Sequence, residues 1–243
     1  MPSRKNQRNR LKKLLLFDID GTLILSGGAG EHALKLAMKS AYGTDNGFDQ
    51  IVFAGATDGA IARQLLEGNG IEPTPEHIGR LLDHYVVELE QELPRRHGRV
   101  LDGIVELLQV LQQREDCVLG LLTGNIERGA RLKLEHYGVW QFFPFGAFAD
   151  DHHDRNELGH FARKRAAEHH GTDFAPEHTY VLGDTPKDIA CGKAVGALTV
   201  AIATGNYSTD ELRPHEPDFL FENLSDIQAV VDSLFGSRSN QFA

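Results

Sequence analysis

Short apolar runs alternate along this chain with longer stretches in which apolar residues recur every three to four positions. The runs are Leu14–Phe17, Val118–Leu122, Phe145–Ala149, Tyr180–Leu182 and Leu198–Ile202. Each is rich in Leu, Val, Ile or Phe, the composition of a strand buried on both faces. Between them, Asp102–Arg114 sets Ile104, Leu107, Leu108 and Leu111 on one helical face. Ile126–Tyr137 and Glu157–His169 predict further helices, closed by Gly138 and Gly171. This alternation predicts an α/β fold built on a parallel sheet.

One block breaks the rhythm. Between Leu25 and about Val100 no buried strand is predicted, but three helical patterns are: Glu31–Tyr42, Asp58–Glu67 and Pro75–Leu93. Gly27, Gly28 and Gly30 introduce the block, and the stretch from Pro94 to Gly98 leaves it. A helical insertion with hinge chemistry at both ends reads as a cap. The expected organisation is a basic tail over 1–13, an α/β core over 14–24 and 99–243, and a helical cap over 25–98.

Composition narrows the class. The 243 residues are 41 % hydrophobic and 25 % charged, an ordinary globular balance. The net charge of −10 argues against a generic nucleic-acid partner. That charge is uneven. Arg4, Lys5, Arg8, Arg10, Lys12 and Lys13 crowd the first 13 residues without an acid. Leu14, Leu15 and Leu16 follow, but the apolar stretch is too short for a secretion signal and no small-residue cleavage site follows, so the start reads as a solvated tail. No apolar run approaches the roughly 18 residues of a membrane helix. Cys117 and Cys191 offer no disulfide framework and suit a reducing cytosol. Self-association as a homodimer is left open.

The candidate chemistry lies where predicted strands end. The first run passes directly into Asp18-Ile19-Asp20-Gly21-Thr22. Acids are poor strand formers, and ligands of open α/β sheets bind beyond the carboxyl ends of strands. Two carboxylates there can divide the work, one attacking or binding metal while the other moves protons. A second strand ends in Thr123-Gly124-Asn125, where a hydroxyl, a glycine amide and a helix start can cradle an anion. A third ends in Gly183-Asp184-Thr185-Pro186-Lys187-Asp188. With Asp18, Asp184 and Asp188 form the hard-oxygen nest that magnesium prefers.

These motifs, in this order from Asp18 to Asp188, resemble the haloacid dehalogenase (HAD) superfamily of phosphatases, in its phosphoglycolate-phosphatase-like branch. The resemblance implies a Rossmann-like core with an inserted cap. It implies that Asp18 is a nucleophile forming an aspartyl-phosphate, that Asp20 is general acid and then base, and that Thr123 binds the transferring phosphoryl group. Mg2+ would be held by Asp18, the main-chain carbonyl of Asp20, and Asp184, with Asp188 assisting, and the four carboxylates of Asp18, Asp20, Asp184 and Asp188 are expected to converge on that one site. The branch usually carries a lysine after its third strand. Here Arg155 falls at that place, and a guanidinium can bridge nucleophile and phosphoryl oxygens. Lys164 competes for the role, but it lies within a predicted helix.

Other residues admit plainer readings. His152, His153, His160, His169 and His170 lack a clean ligand spacing on one face and read as surface residues. The Gly27-Gly28-Ala29-Gly30 run lacks the Lys-Ser/Thr of a phosphate loop and reads as a hinge. In the cap, Phe53 to Ile61 is the expected specificity loop, with Thr57 also a natural N-cap, Asp58 beside it, and Arg63 one turn on placed to meet an anionic leaving group. The expected function is a magnesium-dependent phosphatase for a small phosphorylated metabolite. Phosphoglycolate is suggested by branch resemblance alone, with nucleotides and sugar phosphates open. A dehalogenase would not need the second acid. A phosphomutase of the β-phosphoglucomutase kind and a non-catalytic binding protein on the same fold are the alternatives, and Thr22, where mutase relatives tend to carry valine, leans towards hydrolysis.

Overall fold

The computed structural model describes residues 12–236. The basic residues from Arg4 to Arg10 lie outside them. The chain order is β1 (Lys13–Phe17), β2 (Ile24–Leu25), α1 (Ala29–Tyr42), α2 (Asp58–Gly68), α3 (Pro75–Glu92), β3 (Arg99–Val100), α4 (Ile104–Gln112), β4 (Cys117–Leu122) and α5 (Glu127–His136). Then follow β5 (Gly146–Ala147), α6 (Leu158–His170), β6 (Thr179–Gly183), α7 (Pro186–Ala194), β7 (Leu198–Ile202), α8 (Thr209–Leu212), β8 (Phe219–Phe221) and α9 (Ile227–Phe235). No helix among the described residues is long and apolar enough to cross a membrane.

Six strands form a parallel sheet in the order β5-β4-β1-β6-β7-β8. β1 lies inside it between β4 and β6, with Phe17 level with Leu121 and Leu182. Side chains alternate across the pleat. Leu15, Phe17, Leu119, Leu121 and Leu182 face a layer supplied by α4, α5 and α9. Leu14, Leu16, Val118, Leu122 and Val181 face α6 and α7. Both faces are therefore covered, as the continuous apolar runs require. Lys13, the last of the basic residues near the start, opens β1 and lies 5.1 Å above the Tyr180 ring.

The five predicted strands are present, but the Phe145–Ala149 run is paired only at Gly146 and Ala147. β8 is an addition to the predicted set: three half-buried residues at the sheet edge, set between Asp218 and Glu222. A two-rung antiparallel ribbon also escaped, pairing Ile24 with Val100 and Leu25 with Arg99.

Between the strands of that ribbon lies the helical block. Its three helices follow the predicted patterns closely and share an apolar centre of Leu34, Met38, Leu65, Leu81 and Leu89. Thr57 and Thr74 cap α2 and α3 by accepting from the amides of Ala60 and His77. Gly28, in the left-handed region, precedes α1 where no side-chain cap is made. Ile126, from the sheet side, joins the centre of the block and packs it onto the core.

Candidate active site

The ends of β1, β4 and β6 are adjacent, so the residues after them converge. The Asp18 amide donates to Leu182 O at 2.9 Å, extending the ladder one residue past β1 and fixing Asp18 beside β6. Gly21 then reverses the chain at φ 82°, donating to Ile24 O at 2.8 Å. A Cβ on Gly21 would stand 2.3 Å from Asp184 Oδ2, so glycine is needed both for the turn and for the approach of the second acid.

Asp18, Asp184 and Asp188 are buried and offer three oxygens that lie within 4.8 Å of one another. Burial pushes the Asp18 carboxyl up to about 6, against the pull of Arg155 and with a further push from Asp188. Burial, then Asp188 and Asp18, pushes Asp184 up to about 8. Three hard oxygens gathered out of water and crowding one another are a donor set that suits a divalent cation, whose charge would remove that conflict.

One guanidinium already relieves part of it. Arg155, buried at the start of the turn before α6, places Nη2 3.2 Å from Asp18 Oδ2 and in contact with Asp188 Oδ1. Burial opposes its charge, but Asp18 and Asp188 outweigh burial and raise its pKa. Lys164 is 75 % exposed and pairs with Glu168 on its own helix. Arg155, not Lys164, is the cation at this cluster. The remaining oxygen of Asp188 accepts from the Thr185 amide and hydroxyl, in a capping box that opens α7. Thr22 Oγ1 donates to Asp184 Oδ1 at 3.2 Å.

Thr123 and its neighbours meet this cluster from β4. The Thr123 hydroxyl hydrogen-bonds the Asp18 carboxylate and accepts from Asn125 Nδ2 at 2.9 Å. Gly124 leaves room for the cap, since a Cβ there would stand 2.2 Å from Ala56 O. Cap and core also exchange hydrogen bonds at this point. The Asp58 amide donates to Gly124 O at 2.7 Å, and Asp58 Oδ2 accepts from the Ile126 amide at 2.8 Å. Burial raises Asp58 to about 6, with Lys133 opposing. Thr57 Oγ1 donates across the seam to His153 O at 3.3 Å.

Two expectations need correction. The Asp20 carboxylate is not a fourth member of the acidic cluster. It turns to Lys133 Nζ at 2.5 Å and Asn125 Nδ2 at 3.0 Å, because those donors satisfy it and the other three acids would repel it. Arg63 does not reach the site: its side chain is 54 % exposed and points to Glu67 at 3.9 Å, away from the cavity. The convergent ligand group holds no histidine, and His153, His160 and His169 are exposed.

Lys133 was missed by the sequence reading. It is only 5 % exposed, with Nζ between Asp20 Oδ2 and Asn125 Oδ1, the latter at 2.6 Å. Burial opposes its charge, but Asp20, Tyr85 and Asp58 outweigh burial and raise its pKa. Asp20 answers in kind: burial pushes its carboxyl up, and Lys133 and Asn125 more than reverse that, leaving it below the usual range. A signal was available. Ile126, Gly129, Ala130, Lys133, Leu134 and Tyr137 form one helical stripe, and a lysine in such a stripe is out of place unless paired.

Asp18, Asp20, Asn125, Lys133, Arg155 and Asp184 line one cavity of about 450 Å3 between the sheet and the helical block. Asp18, Asp184 and Arg155 lie on its floor. Asp20, 40 % exposed, faces into it from the side. Leu34, Phe53, Ile61 and Tyr85 form its roof.

A family model described as HAD-hydrolase-like matches residues 157–227. The chain is 26 % identical over 229 residues to "Probable phosphatase IndB" of Dickeya dadantii, covering 92 % of this chain and 95 % of that one. It is 26 % identical over 226 residues to the phosphoglycolate phosphatase of Synechococcus elongatus, covering 90 % and 97 % of the two chains. The crystal structure of a hydrolase from Pseudomonas syringae superposes with a TM-score of 0.68 at 22 % identity, covering 92 % of this chain and 99 % of that one, and shares the fold. The matched segment, the relatives along nearly the whole chain and the shared fold agree in a likeness to phosphatases of the HAD-like hydrolases.

Proposed function

We propose that this enzyme is a magnesium-dependent hydrolase of small phosphate monoesters that works through an aspartyl-phosphate on Asp18. The observation that carries the reading is the opposition of buried acid and base on the cavity floor. Asp18 lies 3.2 Å from Arg155, with Asp184 and Asp188 beside it and Asp20 two residues on, held by a buried lysine. Phosphoryl transfer needs positioning and neutralisation of charge more than covalent machinery, and this floor supplies both.

In this reading a carboxylate oxygen of Asp18 attacks phosphorus, and the bond from phosphorus to the leaving oxygen breaks. Asp20 gives that oxygen its proton. Asp20 then takes a proton from a water whose oxygen attacks the same phosphorus. The bond to Asp18 breaks, orthophosphate leaves, and both aspartates return to their starting forms. Lys133 favours the charged form of Asp20 and so suits the second half. The dianionic ester entering beside Asp20 works in the opposite sense and favours the proton needed in the first half. Arg155 holds Asp18 in place and faces the phosphoryl oxygens, and the Thr123 hydroxyl and the amides of Gly124 and Asn125 bound the same space. Magnesium would be held by Asp18, Asp184 and the main-chain carbonyl of Asp20, with Asp188 assisting, and would neutralise phosphoryl charge.

The proposed cap spans 25–98, and its closure keeps bulk water from the intermediate. The phosphomutase alternative is not better supported: the solved structures named as putative β-phosphoglucomutases are 16–20 % identical and share the fold alone. Replacing Asp18→Asn keeps the side chain's size and removes its charge. Turnover of p-nitrophenyl phosphate with magnesium is expected to fall by about 10^4-fold or more, with the circular dichroism spectrum unchanged. A folded Asp18→Asn protein that still turns over would overturn the proposal.

A further inference from the structure

The roof of the cavity differs in charge from what an anionic leaving group needs. Only two cations line the whole cavity among the described residues, Lys133 and Arg155. Both are already engaged by acids, Lys133 by Asp20 and Arg155 by Asp18 and Asp188. Arg63, the one cap cation that the sequence places near the site, points elsewhere. What faces the leaving group instead is apolar, aromatic or acidic: Leu34, Phe53, Ile61, Tyr85, Asp58 and Glu31. Glu31 stands in the first turn of α1, exposed.

We propose that the cap half of this cavity selects phosphate monoesters whose leaving alcohol carries no second negative charge, and favours one that carries an ammonium group. This rests on the phosphatase reading above and goes on to name its substrate class. The two acids repel a carboxylate or a second phosphate, and no free cation among the lining residues compensates. An ammonium is attracted by Glu31 and Asp58 and can lie against the faces of Phe53 and Tyr85. A neutral hydroxyl falls between, losing little and gaining little.

An isosteric series isolates this effect. 2-Phosphoglycolate, 2-hydroxyethyl phosphate and 2-aminoethyl phosphate share a two-carbon leaving group and differ in its end: carboxylate, hydroxyl or ammonium. With magnesium, kcat/KM is expected to rise in that order, at least tenfold from first to second and several-fold from second to third. Glu31→Gln is expected to narrow the ratio of the aminoethyl to the hydroxyethyl ester. The same order is expected in dissociation constants measured by calorimetry on Asp18→Asn protein, which binds without turning over. Phosphoglycolate equal to or better than the hydroxyethyl ester, in turnover or in binding, overturns the proposal. Absence of turnover of any ester, p-nitrophenyl phosphate included, with the binding order intact, counts against the phosphatase chemistry and leaves the selectivity standing.

Discussion

Floor and roof of the cavity are built in opposite ways. The floor is dense in charge and anchored to the sheet: its acids follow directly from strand ends, and one guanidinium ties two of them together. The roof is carried by three helices with their own apolar centre, and it meets the floor through a few hydrogen bonds at Gly124, Ile126 and His153. In the proposed reading the chemistry sits on strand ends held by the sheet, and selection among substrates sits on an element that can be altered without disturbing that sheet.

Breaking the floor should have the largest effect. Arg155→Ala leaves Asp18 and Asp188 facing one another without their buried counter-charge, and disrupting such a pair costs on the order of 3–5 kcal/mol. The expected outcome is a large fall in melting temperature, partly restored by magnesium chloride, together with activity near background. A variant as stable as the parent would show that the guanidinium is not what holds the floor together. Lys133→Met tests the side wall. It removes the partner of Asp20 while filling the same space, and general acid–base help is worth roughly 10^2–10^4-fold. Turnover of an alkyl phosphate is expected to fall by about 10^2-fold or more. p-Nitrophenyl phosphate, which passes through the same aspartyl-phosphate, should lose about as much, because Lys133 favours the charged form of Asp20 that activates water in the second half. A folded Lys133→Met protein with parental turnover on both esters would show that Lys133 does not set the state of Asp20. Arg63→Ala should do almost nothing. An exposed i,i+4 pair is worth about 0.3–0.5 kcal/mol, and KM for any ester in the series should stay as it was; a rise in KM for an anionic ester alone would place Arg63 in the roof after all.

The same division governs how much the sequence reveals. Floor residues sit within short motifs, because a strand end fixes several side chains at once: Asp18 and Asp20 after β1, Thr123 to Asn125 after β4, Asp184 and Asp188 after β6. Arg155 is less local. It is visible from its place before α6, but its partner Asp188 is 33 residues away. Lys133 and Arg63 mark the limit. Each sits on a helix whose pattern is ordinary, and whether a long cation turns inward depends on what another element places beside it. For Lys133 that neighbour is Asp20, 113 residues distant, and for Arg63 it is only Glu67. In the fold, the buried apolar runs and the longer helices stand out, whereas β8 is half-buried at the sheet edge between two acids and the two-rung ribbon is too short to carry a period.

That ribbon has a wider consequence. Because Leu25 and Arg99 stand side by side, everything between them is topologically a loop whose ends are already joined. Closing such a loop costs entropy only in proportion to the logarithm of its length, about 0.6 kcal/mol for each doubling. The sheet therefore has almost no thermodynamic stake in how long the inserted segment is, or in what it folds into. A graft of another segment between the same two rungs is limited by the fit of its underside to Ile126 and Gly124, rather than by the stability of the scaffold beneath.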